Sequence, residues 1–221
     1  PMNKPSAIKT VKRIFFGLLG LLILFIMLFP IVAMISVSLK QANDVFTVPV
    51  TWIPKHTAWE NYPAVFGKMK MTTGFLNSIL ITAASIGGIM LLGIPAAFAL
   101  SKLRFVMKKP VYYMVLVSQM FAPVIVIIPL YNLMNRMGLI DNRLSLVIMN
   151  ITFNLAFIVL MLKATFDSVP KETVEAAKID GCNSFMTLVW IFVPISRTGI
   201  AVAVIYAFTR SWNEFLFAFT F

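Results

Sequence analysis

Long apolar runs separated by short charged segments dominate the hydrophobic pattern of this chain. Five runs of about 20 residues or more occupy residues 14–39, 74–100, 111–134, 146–166 and 199–221, and charge occurs only at Lys163 near the end of the fourth and at Arg210 and Glu214 in the fifth. A run of this length crosses the hydrocarbon core as an α-helix, whereas a strand of a membrane barrel needs only about ten residues of alternating polarity. The pattern therefore predicts an all-α, polytopic membrane helix bundle with five spans.

One polar segment, residues 167–197, stands between the fourth and fifth runs. Pro170 suits the first position of a helix, and Gly181 suits the left-handed conformation that ends one. Asn183 or Ser184 can then cap a second helix, whose bulky residues anchor it to the membrane side. The segment is predicted to form a helix–turn–helix across the membrane face.

The first of these helices has a distinctive surface. The small residues Ala176 and Ala177 follow the acid Glu175, and the small residue Gly181 follows the acid Asp180. Such a slim surface can enter a groove on another protein and pass motion to the flanking spans. An ordinary loop with two amphipathic turns is the alternative interpretation of the same pattern.

Composition supports a membrane protein and excludes several other classes. The chain is 60% apolar and 12% charged, whereas soluble domains carry about a quarter charged residues. Its net charge of +11 does not indicate nucleic acid, because the basic residues lie between apolar runs rather than along one stripe. The single cysteine, Cys182, excludes an internal disulfide and a cysteine-cluster metal site.

The distribution of basic residues predicts the orientation. Twelve of the 19 Lys and Arg lie in the N-terminal tail and in the second and fourth connections, when Lys163 at the end of the fourth run is counted with the connection that follows it, and six lie in the first and third connections. The richer side is expected to be cytoplasmic. This assigns residues 1–13 to a cytoplasmic tail, 14–221 to one transmembrane domain, 40–73 to an outer segment and 167–197 to a cytoplasmic loop. Because the chain ends at Phe221 within an apolar run, a sixth span is expected beyond it.

The polar loop resembles a known motif. Glu175-Ala176-Ala177, three residues, Gly181, nine residues and then Ile191-Phe192-Val193-Pro194 is similar to the EAA motif of binding-protein-dependent ABC importer permeases, with Val193 where the family favours Leu. Further segments resemble the carbohydrate-uptake branch, and the second permease of maltose-type systems in particular; they are Asn61-Tyr62, Asn77-Ser78 and residues 97–101, 138–140 and 212–215.

This resemblance implies the partners and the role of the loop. The loop would contain the coupling helix that docks into a cytoplasmic ATPase subunit, through Glu175, Ala176, Ala177, Asp180, Gly181 and Pro194. The implied partners are a second homologous permease, two ATPase subunits, an external solute-binding protein, the sugar and membrane lipid, in a bacterial plasma membrane. No GxxxxGK[ST] phosphate loop occurs in the sequence, so ATP and Mg²⁺ are expected on the ATPase subunits, and this chain is expected to bind no cofactor.

Polar residues within the spans are candidates for the solute path. The candidates are Gln119, Asn150, Asn154, Trp212 and Asn213. Hydrogen bonding between helices is the alternative role for such residues. Arg210 and Glu214 stand four residues apart and are expected to form an ion pair.

An ion-gradient-driven secondary transporter is the competing hypothesis. Such carriers usually contain membrane-embedded acids and internal repeats, whereas this sequence shows one embedded acid, Glu214, and no visible repeat. The only histidine, His56, has no nucleophile or ligand cluster near it in the sequence. We therefore expect no catalytic residue and no metal site.

Overall fold

The computed structural model of the protein describes residues 7–48, 51–54, 56–67 and 71–221. Lys4, Lys55, Lys68 and Lys70, which enter the charge argument, lie outside these ranges. The regular elements within the ranges are all helical. The chain divides into two compact units, residues 1–72 and 73–221.

The first unit contains α1 (Ala7–Ser38), a 3₁₀ turn (Ala42–Asp44) and α2 (Asn61–Gly67). The Asn61 amide nitrogen donates to the carbonyl oxygens of Ser38 and Lys40, both at 2.9 Å, and the Tyr62 hydroxyl lies 2.9 Å from the Ser38 hydroxyl. These bonds attach the start of α2 to the end of α1. They provide a structural reason for the Asn61-Tyr62 pair.

The second unit contains the remaining helices. They are α3 (Met71–Lys102, beginning two residues before the boundary), α4 (Lys108–Ser118), α5 (Pro123–Arg136), α6 (Arg143–Asp167), α7 (Lys171–Ile179), α8 (Ser184–Met186), a π-helical turn (Thr187–Phe192), α9 (Val193–Ile195), α10 (Arg197–Trp212) and α11 (Leu216–Thr220). Among the described residues, three single helices are long and apolar enough to cross a membrane, and two bent pairs bring the total to five. The prediction of a helical membrane bundle is confirmed.

The third predicted span is not one continuous helix. Residues 111–134 are interrupted at 119–122, and α4 and α5 differ in direction by 99°. Pro123 stands at the start of α5, where its missing N–H and fixed φ favour a new helix rather than continuation of the previous one. This run therefore contains two helices that meet at a sharp bend next to Pro123. Pro95, by contrast, lies inside the uninterrupted α3.

The fifth predicted span is also divided, because α10 ends at Trp212 and α11 begins at Leu216. The expected pair between Arg210 and Glu214 does not form. The Glu214 carboxylate accepts hydrogen bonds from the backbone N–H groups of Phe217 (2.7 Å) and Ala218 (3.1 Å). It therefore caps α11, where a negative charge is stabilised by the helix dipole.

The main core of the second unit lies where α3, α6 and α10 meet. Ala203 and Ala207 of α10 are fully buried. A Cβ added at Gly199, one turn earlier, would lie 2.3 Å from the Thr165 Cγ2 atom of α6. The small residues of α10 thus allow it to approach α6 closely, as the spacing of Gly199, Ala203 and Ala207 predicts.

Candidate functional site

The polar loop begins with α7, which has the predicted turn at its end. Pro170 has extended backbone angles and precedes the first helical residue, Lys171, one position from the predicted start. Gly181 has φ +82°. The Gly181 N–H donates to the Lys178 carbonyl (3.1 Å) and the Cys182 N–H to the Ala177 carbonyl (2.9 Å). This is a Schellman motif, which requires a left-handed residue at the glycine position.

The residues of α7 that the motif singled out do not share one face. Glu175, Ala176, Asp180 and Gly181 are exposed, whereas Ala177 is only 1% exposed. Successive residues of a helix are about 100° apart, so Ala176 and Ala177 point in different directions. The predicted small-residue surface is therefore formed by Ala176 and Gly181, and Ala177 belongs to the packing of the chain itself.

The second half of the loop contains a feature that the sequence did not predict. The Asn183 side-chain oxygen accepts the Met186 N–H at 2.8 Å and caps α8, as expected. A π-helical turn, Thr187–Phe192, then follows, and such wide turns occur frequently at functional sites. Pro194 does not end the helix, which continues to Ile195 before the chain turns by 84° into α10.

Three aromatic rings join this loop to the spans. Phe192 of the π-helical turn is fully buried, and its ring centroid lies 5.0 Å from that of Phe98 on α3 and 5.8 Å from that of Phe166 on α6. All three pairs meet edge to face, an arrangement that aromatic quadrupoles favour. We call Phe98, Phe166 and Phe192 the aromatic junction. The aromatic junction therefore connects the loop to α3 and α6.

A polar network lies beside the aromatic junction. The Asp167 carboxylate accepts a hydrogen bond from the Ser101 hydroxyl (2.6 Å) and pairs with the Lys163 ammonium (2.5 Å), while the Lys102 ammonium donates to the Val169 carbonyl (2.5 Å). These contacts connect the ends of α3 and α6 at the start of α7. The four-residue spacing of Lys163 and Asp167 indicates their ion pair. Ser101 and Lys102 of α3, by contrast, are 66 and 67 residues away in the chain from Asp167 and Val169. The sequence therefore did not indicate these two contacts.

The predicted path residues separate into two groups, of which the first is buried. Asn150 and Asn154 are 2% and 7% exposed. Their amide nitrogens donate to carbonyl oxygens one turn earlier on the same helix, at 3.0 and 2.9 Å. The structure thus places both inside the bundle, with their amide nitrogens bonded to α6 itself.

The second group is accessible. Gln119 is exposed at the break between α4 and α5. Trp212 is 36% exposed, stacks on Phe208 with ring centroids 5.5 Å apart, and meets the edge of Phe75 at 5.7 Å. Asn213 is exposed, and its amide nitrogen donates to the Thr209 carbonyl at 2.8 Å. The break after α10 thus presents an aromatic face beside an amide.

Comparison with known proteins identifies the family. Residues 89–221 match the family described as binding-protein-dependent transport system inner membrane component. The chain is 33% identical over 212 residues to the inner membrane ABC transporter permease protein YcjP of Escherichia coli K12, covering 95% of this chain and 76% of that protein. It is 30% identical to the diacetylchitobiose uptake system permease protein NgcG of Streptomyces coelicolor, covering 86% of this chain and 63% of that protein.

A further relative and a solved structure agree with this result. The trehalose transport system permease protein SugB of Mycobacterium tuberculosis is 29% identical, with 94% of this chain and 75% of that protein covered. The fold is similar to a chain of a bacterial ABC transporter involved in the import of alginate, with a TM-score of 0.84, 23% identity and coverage of 98% of this chain and 76% of that one. The family match sets aside the ion-gradient-driven alternative. This chain belongs to the binding-protein-dependent transport system inner membrane components and is a multi-pass permease subunit of an ABC transporter.

Proposed function

We propose that this chain forms half of the translocation path of a bacterial carbohydrate importer, with α7 as the element that receives motion from a partner ATPase. The observation that carries this proposal is the connection of an exposed helix to a buried junction. Glu175, Ala176 and Gly181 are accessible on α7, while Phe192 of the same loop is fully buried against α3 and α6. A push on α7 therefore acts on two spans at once.

The source of the push lies on other chains. The sequence contains no phosphate-binding GxxxxGK[ST] loop, so ATP and Mg²⁺ belong to two cytoplasmic ATPase subunits. A second homologous permease completes the path, and an external solute-binding protein delivers the solute. The concentration of basic residues on the side of α7 supports a cytoplasmic location for α7 and for the N-terminus, in a bacterial plasma membrane.

The relatives support a saccharide or glycoside as substrate. Their names specify diacetylchitobiose, sulfoquinovosyl glycerol and trehalose. Of the candidate residues, we assign Gln119, Trp212 and Asn213 to the path because their side chains are accessible. Amide groups bond to sugar hydroxyls, and an indole ring offers an apolar face to the C–H side of a sugar. Asn150 and Asn154 are buried within the bundle, and we assign them a structural role in α6 rather than contact with the solute.

Two glycines provide a matched test of the coupling role. Gly181 and Gly138 both have positive φ, +82° and +66°, and a Cβ added at either meets no atom within 4 Å. Alanine in this conformation costs about 1–2 kcal/mol at either position. Gly181 follows the end of α7, the proposed coupling helix, whereas Gly138 lies between α5 and α6. We expect Gly181→Ala to reduce the ATP hydrolysis stimulated by the binding protein about tenfold, and Gly138→Ala to leave it close to wild type.

The measurement is the ATPase rate of the purified full-length complex in lipid, with and without binding protein. Both variants are first compared by thermal unfolding, so that a difference in stability is separated from a difference in coupling. Equal stimulated rates in the two variants would show that the turn at Gly181 has no special role. Uptake of a labelled disaccharide, with an amino acid as the contrasting solute, tests the substrate class in the same vesicles.

A further inference from the structure

A cavity of about 770 Å³ lies between the end of α3, the connection to α4, α7 and the start of α8. Five basic side chains and one acid are among its lining residues, namely Lys102, Arg104, Lys108, Lys171, Lys178 and Glu175. We call this the basic cavity. Its excess of positive charge is suited to an anionic ligand.

Not all of these cations are engaged within the chain. Lys102 and Lys108 donate to backbone carbonyl oxygens at distances of 2.5 to 3.0 Å. Within the described ranges, the side chains of Arg104, Lys171 and Lys178 make neither a salt bridge nor a hydrogen bond. One of them lies on the α3–α4 connection and two lie on α7, so unused donors come from two separate elements of the cavity wall.

The α3–α4 connection also carries exposed apolar side chains. Phe105, Val106 and Met107 are all exposed, Val106 to 98%, and they stand between two cations of the basic cavity, Arg104 and Lys108. The cations alone would be enough to bind a soluble anion, which has no use for exposed apolar side chains beside them. Apolar side chains flanked by Lys and Arg are typical of segments that lie in the membrane interface, with the apolar groups in the acyl region and the cations at the headgroups.

An apolar groove begins at the same connection. Phe105 lines a groove of about 300 Å³ between α3, α4 and α6, whose other walls are Ala, Val and Leu residues and Thr152. Leu100 lines this groove, and the next residue, Ser101, lines the basic cavity. A charged site and an apolar groove therefore meet at one end of α3, which is the chemistry of a molecule with an anionic head and a hydrocarbon tail.

We propose that the basic cavity binds the headgroup of an anionic phospholipid, with Phe105–Met107 inserted among acyl chains and one acyl chain in the apolar groove. Arg104 contacts the headgroup phosphate from one wall, and Lys171 and Lys178 contact it from α7. The lipid thereby bridges the α3–α4 connection and α7. Binding requires neither ATP nor transported solute, so lipid affinity is measured separately from the coupling role proposed for α7.

The experiment measures the affinity of the purified full-length complex in detergent for short-chain phosphatidylglycerol. Phosphatidylcholine, which is zwitterionic, and inorganic phosphate are the comparison probes. The test variant is Arg104→Gln/Lys178→Gln. The matched control is Lys109→Gln/Arg197→Gln, which removes the same charge from two exposed residues that do not line the cavity.

Each cation at a lipid surface contributes about 1 kcal/mol, which is about fivefold in affinity. We expect the test variant to lose about 25-fold in affinity for phosphatidylglycerol and its preference over phosphatidylcholine, and the control to change little. The charge-conserving Arg104→Lys variant should retain the wild-type affinity, which separates loss of charge from loss of fold.

Two results would overturn the proposal. Equal binding of inorganic phosphate and phosphatidylglycerol would indicate a site for a soluble anion. Unchanged lipid affinity in the test variant, together with loss of ATPase subunits during purification, would show that the cavity receives an acidic segment of a protein instead.

Discussion

Trp212 differs from the buried amides of α6 in what surrounds its side chain. Its indole ring stacks on Phe208 and remains 36% exposed, whereas Asn150 and Asn154 donate to their own helix and are enclosed. A polar residue in a span can serve either a ligand or a neighbouring helix. The exposure of Trp212 supports the role in the path that we propose for it.

Substitution of Trp212 tests this assignment. We expect Trp212→Ala to raise the KM for saccharide uptake about tenfold, because the apolar face for the sugar is lost, while Trp212→Phe retains most of the affinity. The control is Trp190→Ala, which removes the same side chain from an exposed position in the polar loop. The KM is measured in vesicles containing the whole complex, and an unchanged KM in Trp212→Ala would contradict the assignment.

At the scale of elements, the packing of α6 against α10 depends on the absence of a side chain at Gly199. The added Cβ at Gly199 would lie 2.3 Å from Thr165 Cγ2, whereas one at Gly87 on α3 meets no atom within 4 Å. Helices within a membrane associate through close packing of small residues rather than through a hydrophobic driving force. The separation of these two helices is therefore sensitive to one added side chain.

A pair of glycine variants measures this sensitivity. Gly199→Leu should reduce the unfolding free energy by about 1–3 kcal/mol, because the core between α6 and α10 is overpacked. Gly87→Leu should have little effect, since the space around it is open. Thermal unfolding of the complex in detergent gives both values. Equal destabilisation by the two variants would show that helix propensity or lipid contact, rather than packing, dominates.

At the scale of the whole molecule, the first span, α1, is exposed along its length. The membrane-crossing segment of α1, Val11–Ser38, has no buried residue within the chain. A helix that is apolar on all sides is typical of a membrane span. This agrees with a subunit that works in an assembly.

The proposal that ATP hydrolysis on partner subunits drives transport gives a prediction for the assembly. Solute uptake into vesicles that contain the complete complex should require both ATP and the solute-binding protein, and should persist when an ionophore collapses the ion gradients. The control is the same complex with an ATPase subunit unable to hydrolyse ATP. Uptake that survives in this control and stops with the ionophore would favour an ion-driven carrier.

Local features of the polar loop were predictable from the sequence. Gly181 adopts the left-handed conformation and Asn183 caps the following helix, because both features depend on residues within one turn of the chain. The apolar runs likewise predict helices, since their length matches the bilayer. These properties require no knowledge of distant contacts.

Contacts between distant residues decided the rest. The burial of Ala177 beside the exposed Ala176, the aromatic junction and the use of Glu214 as a helix cap all depend on how separate helices meet. The break in the third span has a local contributor in Pro123, but the proline at position 95 interrupts nothing. The sequence by itself determined the type and length of the helices and the turn that ends α7, because these follow from local energetics. Only the tertiary structure decided which side chains are accessible to partners, because burial depends on the packing of the whole bundle.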